Sequence, residues 1–321
     1  MSHLFYFGKI PARGDFVKGS HGAAVIQQLD TWVTRGLELM LDDPDWKRRY
    51  DEAPPIAFLF AGTRSRHMIA GRLVTSHDAS QRRYPLLMGT LAPIDEPLQF
   101  IARAPLTLFE AWSLLASLQA QAIDVDHAQS ALAGLESVDA PIGDVHTAAR
   151  ELRGFVERST LADVERLFDT GESRIDLRRS LLALGILLQP LLTQAQPEVG
   201  KSLCCPLPDE PQAAVLMAAF WLDLVTPFLT RVNLELGILH ARTARGPVLT
   251  ISFGGAQPRV LETIWRQDPD HDHAIDIRDV DWVEDHVAGA PDLGKLASYL
   301  EHPTLSLARA TRTFRETFLG Q

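Results

Sequence analysis

The sequence predicts an α/β fold: a mixed-sheet sandwich with helices on both faces and a helix-rich middle region. Three observations carry that prediction. Short apolar runs bounded by turn residues cluster in the first ninety residues and again near 232–253, as strands do. Apolar residues three and four apart mark amphipathic helices through the middle and at the end of the chain. The two patterns do not alternate regularly, which argues for a mixed sheet rather than repeated parallel units.

Leu4-Phe5-Tyr6-Phe7 is short, apolar and aromatic enough for a buried strand at a sheet edge. Val25, Leu29, Trp32, Val33, Gly36, Leu37 and Met40 then fall on one helical face. Asp42-Asp43-Pro44-Asp45 breaks that helix, and 46–50 forms a short one begun by Asp43 or Pro44. The runs 56–61, 68–74 and 86–91 are closely spaced and predict an antiparallel meander. Leu108, Trp112, Leu115 and Leu118 mark a helix from about Pro105, and further helices are expected over 145–156, 161–168 and 174–188. Between Gln119 and Asp144 no period is clear. A soft boundary near residue 135 separates an N-terminal α/β domain, 1–135, from a helix-rich C-terminal α/β region, 136–321, which can pack with the first as one unit. The second part should hold a helix over 212–228, strands over 232–240 and 248–253, and helices over 258–267 and 304–319.

A chain of 321 residues, 46% hydrophobic and 22% charged, has the composition of an ordinary globular protein. Its formal net charge of −10 argues against a general nucleic-acid or anionic-membrane binder, since both need a basic face. The start shows no secretory pattern, and the longest apolar run, 181–188, stops at Gln189-Pro190, far short of the ~20 residues that cross a bilayer. A cytoplasmic protein without direct membrane insertion is expected. The two cysteines, Cys204 and Cys205, are adjacent and fit a reduced compartment rather than a disulfide framework. Neither a glycine-rich nucleotide loop nor a phosphate-binding lysine loop is present, so no cofactor is expected.

The most informative stretch is Gly8-Lys9-Ile10-Pro11-Ala12-Arg13-Gly14-Asp15-Phe16-Val17, a strand-to-helix loop. Pro11 and Gly14 suit a turn, and Arg13 and Asp15 suit pairing or backbone hydrogen bonds within it. The same charges on a rigid scaffold suit recognition of a ligand or partner. A second polar loop runs from Thr75 through Ser76-His77-Asp78 to Arg83-Tyr84-Pro85. If the two loops are neighbours, Arg13 would meet Asp78 and Asp15 would meet Arg83 across a shared rim, either as a structural network or as a site for an anion or acidic peptide. Ser76, His77 and Asp78 are consecutive, so they point in different directions and cannot form a catalytic triad by themselves. His271 and His273 alternate but lack a third ligand, and no metal is expected. From Asp268 to Asp285 eight carboxylates accompany one arginine, a solvated face or a docking surface for a basic partner. In the terminal helix Phe314 and Phe318 should face the body of the protein, with Arg309, Arg312 and Arg315 outward.

Together the decapeptide, Asp30 with Trp32, Ala53-Pro54 with Phe58, and Ser76-His77-Asp78 leading to Arg83-Tyr84-Pro85-Leu86 resemble the TagF (ImpM) family of bacterial type VI secretion accessory proteins. The resemblance covers about residues 4 to 120. Where that family has glycine before the arginine of the later loop this sequence has Arg82, and where many members carry paired tryptophans it has Cys204-Cys205. The resemblance implies a non-enzymatic, cytoplasmic, post-translational repressor that binds a forkhead-associated scaffold protein and limits assembly of the secretion apparatus. It also implies a functional link to a Ser/Thr phosphatase and kinase. Residue by residue, the family motifs fall on Lys9, Pro11, Arg13, Gly14, Asp15, Phe16, Asp30, Trp32, Ser76, Asp78, Arg83 and Pro85, as interaction or fold-maintaining positions. Two alternatives remain: an enzyme using the Arg13/Asp15/Asp78/Arg83 rim on a small anionic or phosphorylated substrate, and a structural adaptor of the secretion complex.

Overall fold

A computed structural model describes residues 3–135, 138–169, 174–193, 200–267, 273–278 and 280–320. The chain opens with β1 (Leu4–Gly8), β2 (Val17–Lys18), α1 (Ala23–Met40) and α2 (Trp46–Glu52), then the strands β3 (Ile56–Gly62), β4 (His67–Val74) and β5 (Leu86–Pro93). The middle is helical: α3 (Pro97–Thr107), α4 (Phe109–Ile123), α5 (Ala128–Leu135), α6 (Val145–Arg158), α7 (Leu161–Arg166), α8 (Leu177–Leu188) and α9 (Pro190–Thr193). Then follow β6 (Ser202–Pro206), α10 (Pro211–Val225), β7 (Glu235–Thr243), β8 (Gly246–Ser252), α11 (Pro258–Arg266), β9 (Ala274–Asp276), α12 (Val283–Gly289), α13 (Pro291–Leu300) and α14 (Leu307–Leu319).

Among the described residues the strands form one nine-stranded sheet, ordered β2-β1-β5-β4-β3-β7-β8-β6-β9. The expected meander is present: β3, β4 and β5 pair antiparallel in sequence. β6 and β9 run parallel, which makes the sheet mixed. Six residue pairs, from Ala57↔His240 to Gly62↔Glu235, join β3 to β7. That ladder makes one sheet of strands from residues 4–93 and strands from residues 202–276.

Alternation along each strand divides the core in two, because successive side chains leave opposite faces. Phe58 and Phe60 join Phe5, Leu239 and Ala241 on one face, covered by Val25, Leu29, Trp32 and Val33 of α1 and by Leu261, Ile264 and Trp265 of α11. Leu59 and Ala61 join Leu4, Met68, Met88, Leu236 and Ile238 on the other, under Ile101 and Ala104 of α3, Leu115 of α4 and the wholly buried Leu222 of α10. The outcome is the α/β sandwich the sequence predicts, thin on one face and deep in helices on the other. The α10 helix with the turn after it, Pro211–Leu229, is long and apolar enough to cross a bilayer, yet 78% of it is buried inside the protein.

Several boundaries move. The helix expected from about Pro105 begins at Phe109 as α4, and Pro105 sits instead in the last turn of a separate helix, α3, where its missing N–H and ring break the run before α4. The featureless stretch after Gln119 contains the end of α4 and then α5. The strand expected from Val232 starts at Glu235, because Val232 and Leu234 hydrogen-bond to Thr63 instead. Of the acidic stretch, Asp268, Asp270, His271, Asp272 and Asp279 lie outside the described residues. The rest is no simple solvated face: Ala274–Asp276 is an edge strand, Ile277, Val280 and Val283 are buried, and Glu284 pairs with Arg178 and Arg179.

Trp32 is 3% exposed, stands edge-on to Phe58 and Phe60, and donates Nε1–H to the Gln257 carbonyl. It is therefore part of the core between α1 and the sheet. Trp32→Ala should cost about 3–5 kcal/mol of unfolding free energy, read by urea denaturation; a loss near zero would remove it from the core.

Candidate functional site

β1 ends at Gly8, whose φ of +143° and close approach to the Pro85 carbonyl exclude a side chain: a Cβ would stand 2.0 Å from that oxygen. This contact brings the two polar loops together. Ile10, wholly buried, anchors the first loop, and the Arg13 N–H donates to the Ile10 carbonyl at 3.1 Å, closing a turn with Pro11 at its second position. The second loop is narrower than its length implies. The Tyr84 N–H donates to the Ser76 carbonyl, His77 and Arg83 are bridged, and the Asp78 N–H donates to the Arg82 carbonyl.

Asp78 sits at the centre with no exposed surface. Its Oδ1 accepts the backbone N–H groups of Ser80 and Arg82 at 2.9 and 3.0 Å, and its Oδ2 accepts Arg82 Nε at 2.7 Å and Lys9 Nζ at 3.0 Å. Burial alone would raise this carboxyl, but the Arg82 N–H, the Lys9 ammonium, the Arg82 guanidinium and the Ser80 N–H outweigh it and hold it well below the usual carboxylate range. The loops are then stitched directly: the Ala79 N–H donates to the Arg13 carbonyl at 2.8 Å, and Arg82 Nη2 to the Gly14 carbonyl at 2.6 Å.

Two further ties fix the rim to the helices. Tyr84 donates its hydroxyl to Asp30 of α1 at 2.5 Å, and burial, then that carboxylate, keeps the phenol protonated. Arg83 forks onto Asp51 of α2 at 2.8 and 2.5 Å, while the adjacent Tyr50 hydroxyl accepts the Ser76 N–H and donates to the Ser76 carbonyl. Phe16 lies flat on Phe7 and edge-on to Tyr84, with Lys9 Nζ 5.0 Å from its ring centre, yet it remains 44% exposed.

The expected cross-rim pairs are replaced by others. Asp78 meets Lys9 and Arg82 rather than Arg13, and Arg83 meets Asp51 rather than Asp15. Arg13 and Asp15 are exposed and make no ion pair among the described residues; Asp15 accepts only the next N–H, that of Phe16. The left-handed backbone of the later loop falls on Gln81, φ 62°, so position 81 is where glycine is favoured, and Arg82 is the arginine that bridges the loops. Trp32 and Pro85 are buried beneath the rim, and Gly14 has open space around it. Sequence reasoning passed over Arg82, Asp51 and Tyr50. The first was visible only as a departure, and the other two carry no local signal because their partners lie 26–32 residues away.

The geometry is that of a rim buttressed from within. Ser76 Oγ is buried without a partner, His77 Nδ1 contacts the Asp78 carbonyl, and the Asp78 carboxylate is saturated by four internal donors, so Ser76, His77 and Asp78 form no proton relay. Among the described residues no group of three metal-type ligands occurs, and His273 Nε2 faces Arg259.

Residues 5–136 match the family model described as TagF N-terminal domain, Type VI secretion system-associated. No curated protein matches the chain. Among solved structures, PA0076 from Pseudomonas aeruginosa PAO1 is similar at 15% identity and a TM-score of 0.44, over 84% of this chain and 96% of that one.

Because the folded state depresses the Asp78 carboxyl, its contribution to stability is complete above the ordinary value of about 3.9 and is lost as pH falls toward the folded-state value. Thermal midpoints followed from about pH 7 to about pH 2 should fall more steeply below about pH 4 in the wild type than in Asp78→Asn, which starts lower and has no proton to take up there. Parallel curves would mean that this carboxylate does not hold the rim.

Proposed function

We propose, on the premise of a TagF N-terminal domain associated with type VI secretion, that the chain is a non-enzymatic post-translational repressor. In this reading it acts in the cytoplasm by binding a forkhead-associated scaffold protein and limiting assembly of the secretion apparatus. The observation that carries the reading is the contrast within the rim: Lys9, Asp78 and Arg82 are spent on holding the two loops together, while Arg13, Asp15 and Phe16 stand exposed at the tip of the first. A cation, an anion and an aromatic ring presented on a rigid base favour recognition of a protein surface, with the ordering cost already met by the fold.

Titration of the purified chain against the forkhead-associated scaffold of the same genome, by calorimetry at physiological salt, tests this. Wild type should bind with micromolar or tighter affinity. Arg13→Glu should weaken binding about tenfold or more, or about 1.4 kcal/mol, with its thermal midpoint unchanged, whereas Arg309→Glu on α14 should not. Wild type that does not bind would remove the partner; equal binding by wild type and Arg13→Glu would remove the surface.

A further inference from the structure

A groove on the helix-rich face takes no part in the rim. It runs between α3, α6, α10 and α14 and is lined by Arg103, Arg153, Asp223, Thr311, Arg312 and Arg315, with Glu157 beside them. Four guanidiniums face two carboxylates, a local excess of positive charge on a chain whose formal net charge is −10. The outward arginines expected of the terminal helix therefore divide: Arg309 and Arg312 are exposed, while Arg315 turns into the groove.

Asp223 organises the inner pair. Its Oδ1 meets Arg103 Nη2 at 2.9 Å and its Oδ2 meets Arg315 Nη2 at 2.5 Å, and the same Arg315 nitrogen reaches the Asp223 carbonyl at 3.3 Å. One carboxylate thus orients two planar forks whose remaining N–H donors it does not use. The outer pair is underused. Arg153 makes no ion pair among the described residues, and Arg312 reaches Glu316 only at 3.9 Å. A second, independent observation points the same way. Thr311 is 8% exposed, and its hydroxyl, like Arg315 Nε one turn further on, is buried with no hydrogen-bond partner. Buried donors left unmet are costly, and two of them beside four guanidiniums call for an acceptor.

We infer that this groove binds a phosphate group. A tetrahedral dianion accepts forked donors from several arginines at once, a demand that a single carboxylate would not make. Arg103 and Arg315, held by Asp223, form the base of the site; Arg153 and Arg312, exposed on facing helices, close on the ligand from the mouth. The site lies on other elements than the rim and does not depend on the scaffold reading.

Calorimetric titration of the full chain with inorganic phosphate, and separately with O-phosphoserine, in about 0.15 M chloride tests the inference and distinguishes a free phosphate from an esterified one. Saturable binding of at least one probe is expected, weakened about tenfold or more when Arg153→Glu and Arg312→Glu are combined and unchanged in Arg309→Glu. Should the double variant melt early, Arg153→Gln alone makes the comparison. Absence of saturable binding to the wild type, or equal losses in Arg309→Glu and the groove variants, would overturn the site.

Discussion

A carboxylate with no contact with water must be met by donors on every side, and Asp78 shows how far that demand reaches. Lys9 has to come in from the end of β1, and it can do so because Gly8 lets the backbone pass against Pro85. Arg82 has to fold back over its own loop, and in doing so it reaches the Gly14 carbonyl. Two segments almost seventy residues apart in sequence are thereby locked around one acid group. The exposed tip at Arg13, Asp15 and Phe16 owes its fixed position to that buried centre, to the hydrogen bonds on the Arg13 and Gly14 carbonyls and to the stacking of Phe16 on Phe7.

The sheet provides the frame within which the lock can close. β1 lies beside β5, so the loop that leaves β1 and the loop that enters β5 emerge at the same end. The β3–β7 ladder then ties this end of the molecule to strands contributed by the second half of the chain. Covering helices differ in number between the faces, and the deeper face contains the groove between α3, α6, α10 and α14. Rim and groove illustrate two uses of charge: the first neutralises itself internally and presents a shape, whereas the second leaves guanidiniums in excess.

Much of the fold was legible because burial imposes periodicity. The meander at 56–91, the amphipathic α1 and the apolar faces of α8 and α10 all follow from alternation or from spacing of three and four. Less was legible where a covalent constraint competes with periodicity, as at Pro105, which lies in the last turn of α3 and not at the start of α4. The very short strand β2 and β6, with its two cysteines, offered too few residues for a pattern to emerge. Charged partners were the least legible. Arg83 and Asp51, or Arg103 and Asp223, are paired by the packing of separate elements, and no local rule links them.

The sequence by itself determined the class of fold, the order of most elements, and the position of the two polar loops, since glycine, proline and apolar spacing act over a few residues and leave a local trace. It also carried, in Gly8 through Phe16 and Ser76 through Pro85, the motifs that match a TagF N-terminal domain. Only the tertiary structure decided which acid meets which base. It buried Asp78 with Lys9 and Arg82, gave Arg83 to Asp51, left Arg13 and Asp15 in solvent, and gathered four arginines from three helices into one groove. Ion pairing depends on distances across the packed molecule and on the water excluded between the partners, and neither quantity is written in a linear pattern of residues.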